Sequence, residues 1–341
     1  MKNSFLKIFC SLFVLVSFSF ALEDAITLKG NVQTQATKSM EDDENNLSSL
    51  WIRANIGGQY KSENMDALIM LRIFAPEFGN TIENKKYDKI LADLYWVNYK
   101  WELNEKNKFH LKLGHWKTDW SESTHFGTYL DKDLTARGLW MRDKAHDAVE
   151  FGWNYGLSDL NIMFATNDSK VNTGYIRVEE NMSFTFPLKV QVAYRVNAID
   201  VIQNTAYLTH RIAAHASYAI IPNFRIYGEF ACLYTEDETL DTNAENYVNK
   251  QESYLTPGDA YLPFYVGLEI PTAGILDNLM FEIEYMKDRS DLYTKENDAS
   301  DFAWTVALTK KFFKSKLQFS VYSEEELNDI GLAMRLTTTI K

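Results

Sequence analysis

The chain of 341 residues is 46% hydrophobic and 24% charged, with a formal net charge of −12 and a mean hydropathy of −0.30. Beyond the N-terminus no stretch approaches the roughly 18 to 20 consecutive apolar residues that a membrane-spanning helix needs, which excludes a polytopic helical membrane protein. Six Pro and two Cys set against 21 Phe, 19 Tyr and 8 Trp exclude disorder, collagen and a disulfide scaffold, and the acidic balance excludes nucleic acid as a partner, because phosphate neutralisation needs clustered cations.

Residues 1–21 read as an export signal. Lys2 and Lys7 precede an apolar run from Ile8 to Phe20, and Ser19 and Ala21 place small residues three and one positions before a cut. Glu23 and Asp24 follow at once, as they do after a cleavage site rather than beside a spanning anchor. Cys10 leaves with the signal, so the exported segment, Leu22 to Lys341, keeps Cys232 alone and carries no internal disulfide.

From there the period is two, with little trace of the 3.6 period of a helix. Ile26, Leu28 and Val32 alternate with Lys29, Asn31 and Gln33; Ile52, Ala54 and Ile56 with Trp51, Arg53 and Asn55. The same rhythm returns in Val190, Val192 and Tyr194 against Gln191 and Arg195, and in Leu332, Met334 and Leu336 against Arg335 and Thr337. Strands are predicted at 25–36, 49–60, 65–74, 89–101, 108–116, 148–156, 158–166, 174–186, 188–197, 206–219, 223–234, 261–270, 278–287, 302–310, 315–323 and 330–340, which makes 16. Two places resist: strand four mixes polar and apolar residues on both faces, and Glu180 falls among apolar neighbours, which calls for a bulge or a site near a membrane interface.

The connections alternate in length. Residues 37–48, 75–88, 117–147, 235–260 and 288–301 are long, whereas 61–64, Leu157, Pro187, 220–222 and 311–314 are tight. A soluble sandwich predicts no such rhythm. An even number of strands of about ten residues, with short turns at one end and long loops at the other, is the pattern of a transmembrane antiparallel β-barrel. Apolar residues would face lipid and polar ones a wet lumen, with aromatics near strand ends (Trp51, Tyr60, Phe74, Trp101, Trp116, Tyr155, Phe184, Tyr218, Tyr234, Tyr285 and Phe302 among them) as interfacial girdles.

On the signal, this strand rhythm over Leu22 to Lys341 and the long third loop opened by Gly114-His115-Trp116-Lys117, the chain resembles the 16-stranded outer-membrane porins, and more loosely the phosphate-selective and carbohydrate porins among them. The resemblance implies an outer-membrane location surrounded by lipid, passive passage of small hydrophilic solutes, a homotrimer, and a third loop folded into the barrel.

Charge is partitioned. The exported segment carries −14; the eight predicted outer loops sum to −19, which leaves the strands and short turns at +5. The acidity sits in runs such as Glu41-Asp42-Asp43-Glu44, Glu236-Asp237-Glu238 and Glu324-Glu325-Glu326, read as solvated loops or as groups bridged by divalent cations to anionic surface lipid. On the lumen parity lie Lys29, Arg53, Arg72, Lys100, Lys112, Arg177, Lys189, Arg195, Arg211, Arg225 and Arg335 against Asp66, Glu150, Glu179, Glu229, Glu269, Glu282 and Glu284. The excess of cations predicts a mild anion preference, unless these groups pair across strands and stiffen the wall instead.

The third loop is the predicted constriction, with Lys117, Asp119, Glu122, His125, Asp131, Asp133, Arg137 and Arg142 as its candidate residues: 31 residues exceed what a plain connection needs. Catalysis has no support. None of the six histidines sits in an Asn-His-Ser arrangement, Thr209-His210 and His215-Ala216-Ser217 are weak pairs read as lumen or rim residues, His110 and His115 have opposite parity and cannot readily share a metal, and no Gly-rich phosphate loop or Cys-x-x-Cys site occurs. The sequence thus predicts an outer-membrane diffusion channel, not an enzyme, without cofactor or dedicated metal. The alternatives are a channel selective for a sugar or an anion, with inward Tyr175, Tyr227, Tyr261, Tyr265 and Trp51 stacking on sugar faces, and a non-conducting adhesin or scaffold barrel.

Overall fold

A computed structural model of the chain describes residues 26–39, 49–74, 90–118, 128–130, 145–167, 174–197, 208–221, 224–236, 258, 260–272, 274–286, 301–323 and 330–340. The predicted signal, 1–21, and most of the acidic runs lie outside the described residues. In chain order the strands are β1 (Ile26–Ser39), β2 (Ser49–Lys61), β3 (Met65–Phe74), β4 (Ile90–Asn104), β5 (Asn107–Lys117), β6 (Ala145–Asn154), β7 (Ser158–Asn167), β8 (Gly174–Ser183) and β9 (Leu188–Val196). The second half comprises β10 (Thr209–Ile221), β11 (Phe224–Thr235), β12 (Ala260–Tyr261), β13 (Phe264–Pro271), β14 (Asn278–Tyr285), β15 (Phe302–Phe312), β16 (Ser315–Ser323) and β17 (Ile330–Ile340).

Each strand pairs antiparallel with its neighbours around the sheet, and β17 pairs with β1 from Gly30↔Ile340 to Ser39↔Gly331, which closes the sheet into a barrel. The short β12 and β13 both pair with β11, so together they form one stave interrupted at Leu262-Pro263. Proline cannot donate to the ladder, which explains the break. The closed barrel therefore has 16 staves, as the alternation predicts.

Burial follows parity. Along β10, Thr209, Arg211, Ala213, His215 and Ser217 are buried, whereas Ile212, Ala214, Ala216 and Tyr218 between them are exposed. Exposed apolar side chains recur all round the outside, from Ile52 and Ile56 through Phe164, Val192 and Phe230 to Phe281 and Met334. Water would not wet such a surface; lipid hydrocarbon would. At the short-turn end the band is closed by a run of rings across β4, β5 and β6 (Trp101, Phe109, Phe151, Trp153, with Tyr155 beyond), neighbouring centroids being 4.7–6.2 Å apart. At the long-loop end the outward rim is more polar. Tyr95 stacks on His115 and donates to Asp147 at 3.0 Å, and five staves on Tyr194, His210 and Tyr234 stack beside Glu236.

The two segments that resist simple alternation have different causes. In β4 the pairing with β3 slips between Met70 and Leu71, so Asp93 is an extra residue and the inward parity changes from Leu91 to Leu94. Asp93 turns to pair with Arg72. Glu180 needs no bulge, since β8 keeps unbroken register with both neighbours; it lies near the short-turn end and accepts a hydrogen bond from Tyr155.

Three expectations are corrected. Strand β6 starts at Ala145, not 148, because Lys117↔Ala145 and Trp116↔His146 continue the β5 ladder; the third connection is therefore 118–144. Polar His146 and Asp147 hid that extension, one facing inward and the other bonded to His115 at 2.9 Å outside. Trp116 is no girdle residue: it points inward and is 3% exposed.

Gly114 lies within β5 at φ 134°, and a Cβ there would come within 2.2 Å of the Tyr95 carbonyl oxygen. Neither the dihedral nor the contact can be relieved by turning a side chain. Gly114→Ala is expected to lower barrel stability by about 1–3 kcal/mol, whereas Gly58→Ala, whose new Cβ meets nothing nearer than 3.5 Å, leaves it nearly unchanged. Urea unfolding in lipid vesicles measures both.

Candidate functional site in the bore

Inward parity brings three arginines abreast. Arg177 on β8, Arg195 on β9 and Arg211 on β10 are direct Cα partners across the two ladders, and all three are buried. Like charges directly opposite one another destabilise a sheet, so this row requires partners. Arg177 pairs with Glu179 at 2.7 Å and donates to the Thr118 hydroxyl at 3.2 Å. Arg195 lays its guanidinium over the Tyr175 ring, 3.9 Å from the centroid.

The next staves carry the opposite sign. Glu229 on β11 and Glu284 on β14 face Tyr265 from either side, with Glu282 one inward step from Glu284; all three carboxylates are buried. Over the boundary between arginines and glutamates lies Thr128-Tyr129-Leu130. The Thr128 hydroxyl and the Tyr129 N–H donate to Glu229 at 3.0 and 2.8 Å, and the Tyr129 hydroxyl donates to Glu284 at 2.8 Å. The carbonyls point the other way: Arg211 donates to Tyr129 O at 3.1 Å and Arg195 to Leu130 O at 2.5 Å. The segment is thus oriented by charge, donors toward carboxylates and acceptors toward guanidiniums. Burial first, and then the Glu284 carboxylate, hold the Tyr129 hydroxyl well above the ordinary tyrosine range, so it remains a donor.

The three residues belong to the connection between β5 and β6, yet Glu284 lies eight staves from β5, diametrically across a 16-stave barrel. Bonds from neutral donors to charged acceptors contribute about 1.5–3 kcal/mol each. Several such bonds act together here.

The other predicted lumen cations are distributed around the wall. Arg53 donates to Gln33 at 2.5 Å, and Arg335 to Gln35 at 2.9 and 2.7 Å through two nitrogens. Lys112 sits between the Trp96 and Trp116 rings, 5.0 and 4.4 Å from their centroids. Arg72, Lys100 and Arg225 pair with Asp93, Asp66 (3.0 Å) and Glu269 (2.5 Å), the cross-strand pairing weighed against free cations above. Lys117, the last residue of β5, pairs with Ala145 at the base of the connection. Asp119, Glu122, His125, Asp131, Asp133, Arg137 and Arg142 lie outside the described residues.

Tyr175, Tyr227 and Tyr265 face inward as predicted, but each is only 1–2% exposed. The Tyr227 ring rests where Gly267 lacks a Cβ, and its hydroxyl donates to Glu282 at 2.5 Å. These rings pack the wall and offer no open face for a sugar. Tyr261 is partly buried against the same cluster, and the Trp51 side chain lies outside the described residues. Thr128, Tyr129 and Leu130 were not among the predicted site residues. The sequence offered no distinguishing signal for them, since Trp120, Phe126, Leu134 and Leu139-Trp140-Met141 lie in the same loop. Among the described residues no group of three or more His, Cys, Asp or Glu side chains is placed to hold a metal ion.

No family model matches the sequence, and no curated protein is similar to it. Solved structures are similar in fold. A fivefold-substituted variant of the Rhodopseudomonas blastica porin is 12% identical and superposes with a TM-score of 0.54 over 92% of this chain and 100% of its own. A variant of the same porin with two introduced tryptophans gives the same figures, and another variant is 10% identical at a TM-score of 0.54. The chain therefore has the fold of the 16-stranded porins.

Proposed function

We propose that the protein is an outer-membrane diffusion channel for small hydrophilic solutes, exported by its N-terminal signal, with a bore narrowed by the 118–144 connection and a mild preference for anions. The observation that carries this reading is the Thr128–Leu130 segment, held against the wall opposite the strands it springs from by buried charges of both signs. A 16-stave barrel encloses an aqueous bore, and a connection that crosses that bore divides it. The segment is anchored both through its backbone, by the Tyr129 N–H and two carbonyls, and through the Thr128 and Tyr129 hydroxyls. The inward parity carries eleven cations against seven carboxylates, and the contacts of Arg53, Arg335 and Lys112 include glutamine side chains and aromatic rings. That excess of positive charge supports a bias of entry toward negative solutes. Outer-membrane lipid around the apolar band and assembly as a homotrimer complete the reading.

Two measurements test it. In planar bilayers the protein is expected to open in discrete steps, and Glu284→Gln, which replaces the charged acceptor of the Tyr129 hydroxyl, raises the frequency of larger-conductance openings. Loss of one charged bond of about 1.5–3 kcal/mol shifts the docked-to-released ratio by roughly ten- to a hundred-fold. Unchanged openings in this variant and in one lacking residues 122–138 would contradict a constricting connection. In a KCl gradient the reversal potential is expected to lie on the chloride side; clear cation selectivity would remove the anion preference and leave the channel itself intact.

A further inference from the structure

A second charged region lies away from the Thr128–Leu130 segment, on the inner wall at the short-turn end. There β15, β16, β17 and β1 enclose a recess of about 580 Å³. Its cations are Lys311, Lys314, Lys316 and Arg335, with Thr337 and Gln318 between them, and among the described residues its lining contains no carboxylate. Lys311 and Lys316 are direct Cα partners across the β15–β16 ladder, both on the inward parity. Arg335 is the partner of Gln318 on the next ladder, so the three cationic positions lie within two strand steps of one another. Two lysines face to face destabilise a hairpin unless something negative comes between them.

The neighbouring carboxylates are occupied elsewhere. Asp277 accepts from the Lys310 ammonium at 3.2 Å and from the Lys311 backbone N–H. Glu269 is held by Arg225 at 2.5 Å and by Asn278. Among the described residues no carboxylate forms an ion pair with the ammonium groups of Lys311, Lys314 or Lys316.

The turn beside the recess carries an independent anomaly. Phe312 and Ser315 close a two-residue hairpin turn whose first residue, Phe313, has φ 51°, a conformation bulky residues rarely adopt. Asn or Gly would sit there without strain. Phe313 is 107% exposed and lines the recess, so an apolar ring stands at the mouth of a cationic cavity. Backbone strain held by the surrounding structure clusters at ligand sites.

We propose that this recess is a binding site for a small organic polyanion, a carbon frame bearing two or three carboxylates, entered from the short-turn side of the barrel. Its volume falls in the range of about 300–1,000 Å³ typical of sites for organic ligands and is larger than a lone inorganic ion needs. The lysine ammonium groups supply charge-assisted hydrogen bonds to separated oxygens, and the Arg335 guanidinium, held by Gln35, adds its positive field. Thr337 and Gln318 supply neutral ones, and the Phe313 ring covers carbon. The site requires the barrel wall alone, so it is independent of whether the bore conducts.

The test is equilibrium dialysis of radiolabelled citrate against the purified full-length barrel in detergent, with acetate and inorganic phosphate as competitors. Saturable binding of one citrate per barrel is expected, displaced poorly by acetate and by phosphate and weakened by raised KCl. Lys311→Gln/Lys316→Gln is expected to weaken binding by about tenfold or more, while Lys189→Gln, on the inner face of β9 across the bore, leaves it unchanged. Phe313→Asn relieves the turn and removes the ring, so binding falls while the barrel is at least as stable, which separates a ligand role from a folding role. Absence of saturable binding, equal binding in the lysine double variant, or displacement by phosphate as effective as by citrate itself would overturn the proposal.

Discussion

Every backbone N–H and C=O that crosses hydrocarbon must find its partner within the protein, because no water is there to supply one. For a sheet that requirement means closure, and here it is met by the ten residue pairs between β1 and β17. The rest of the architecture follows from that ladder. Once closed, the sheet has one face turned to lipid and one to the bore, and alternation assigns each side chain to one of them. The even stave count returns both ends of the described chain to the same rim. The break at Leu262-Pro263 is tolerated because β12 and β13 pair with the same strand on either side of it.

Inside, the difficulty is electrostatic. A low-dielectric wall carrying Arg177, Arg195 and Arg211 abreast, beside Glu229, Glu282 and Glu284, would waste much of its interaction energy if the two groups merely faced water. The Thr128–Leu130 segment joins them through peptide dipoles, with donors toward the acids and carbonyls toward the arginines. The same bonds that satisfy the wall hold the Thr128–Leu130 segment against it. Elsewhere glutamine side chains accept from Arg53 and Arg335 and two indole rings flank Lys112, which holds these cations in place.

Much of this was legible before any coordinates. Alternation in Val190 to Val196 or Leu332 to Leu336 gives the strand and its lipid face together, since a period of two leaves no other assignment. The hidden parts have specific causes. The start of β6 was masked because His146 and Asp147 are both polar, and only their different partners, inside and out, show that they alternate. In β4 a single extra residue at Asp93 inverts the parity halfway along, which no count along one strand can reveal without its neighbour's register. The inward tyrosines were correctly oriented, yet their availability depended on Arg195 over Tyr175 and on the missing Cβ of Gly267 beneath Tyr227.

The sequence by itself determined the strands, the number of staves, the face that most residues present and the separation of acidic loops from a basic wall, because each of these depends on local period and composition. Only the tertiary structure decided which charges meet. Tyr129 finds Glu229 and Glu284 at separations of 100 and 155 residues, and the Lys311–Lys316 pair becomes part of a cavity only when β17 and β1 close beside it. Such encounters are set by the stagger and closure of the whole sheet, a global property that no window of the chain contains.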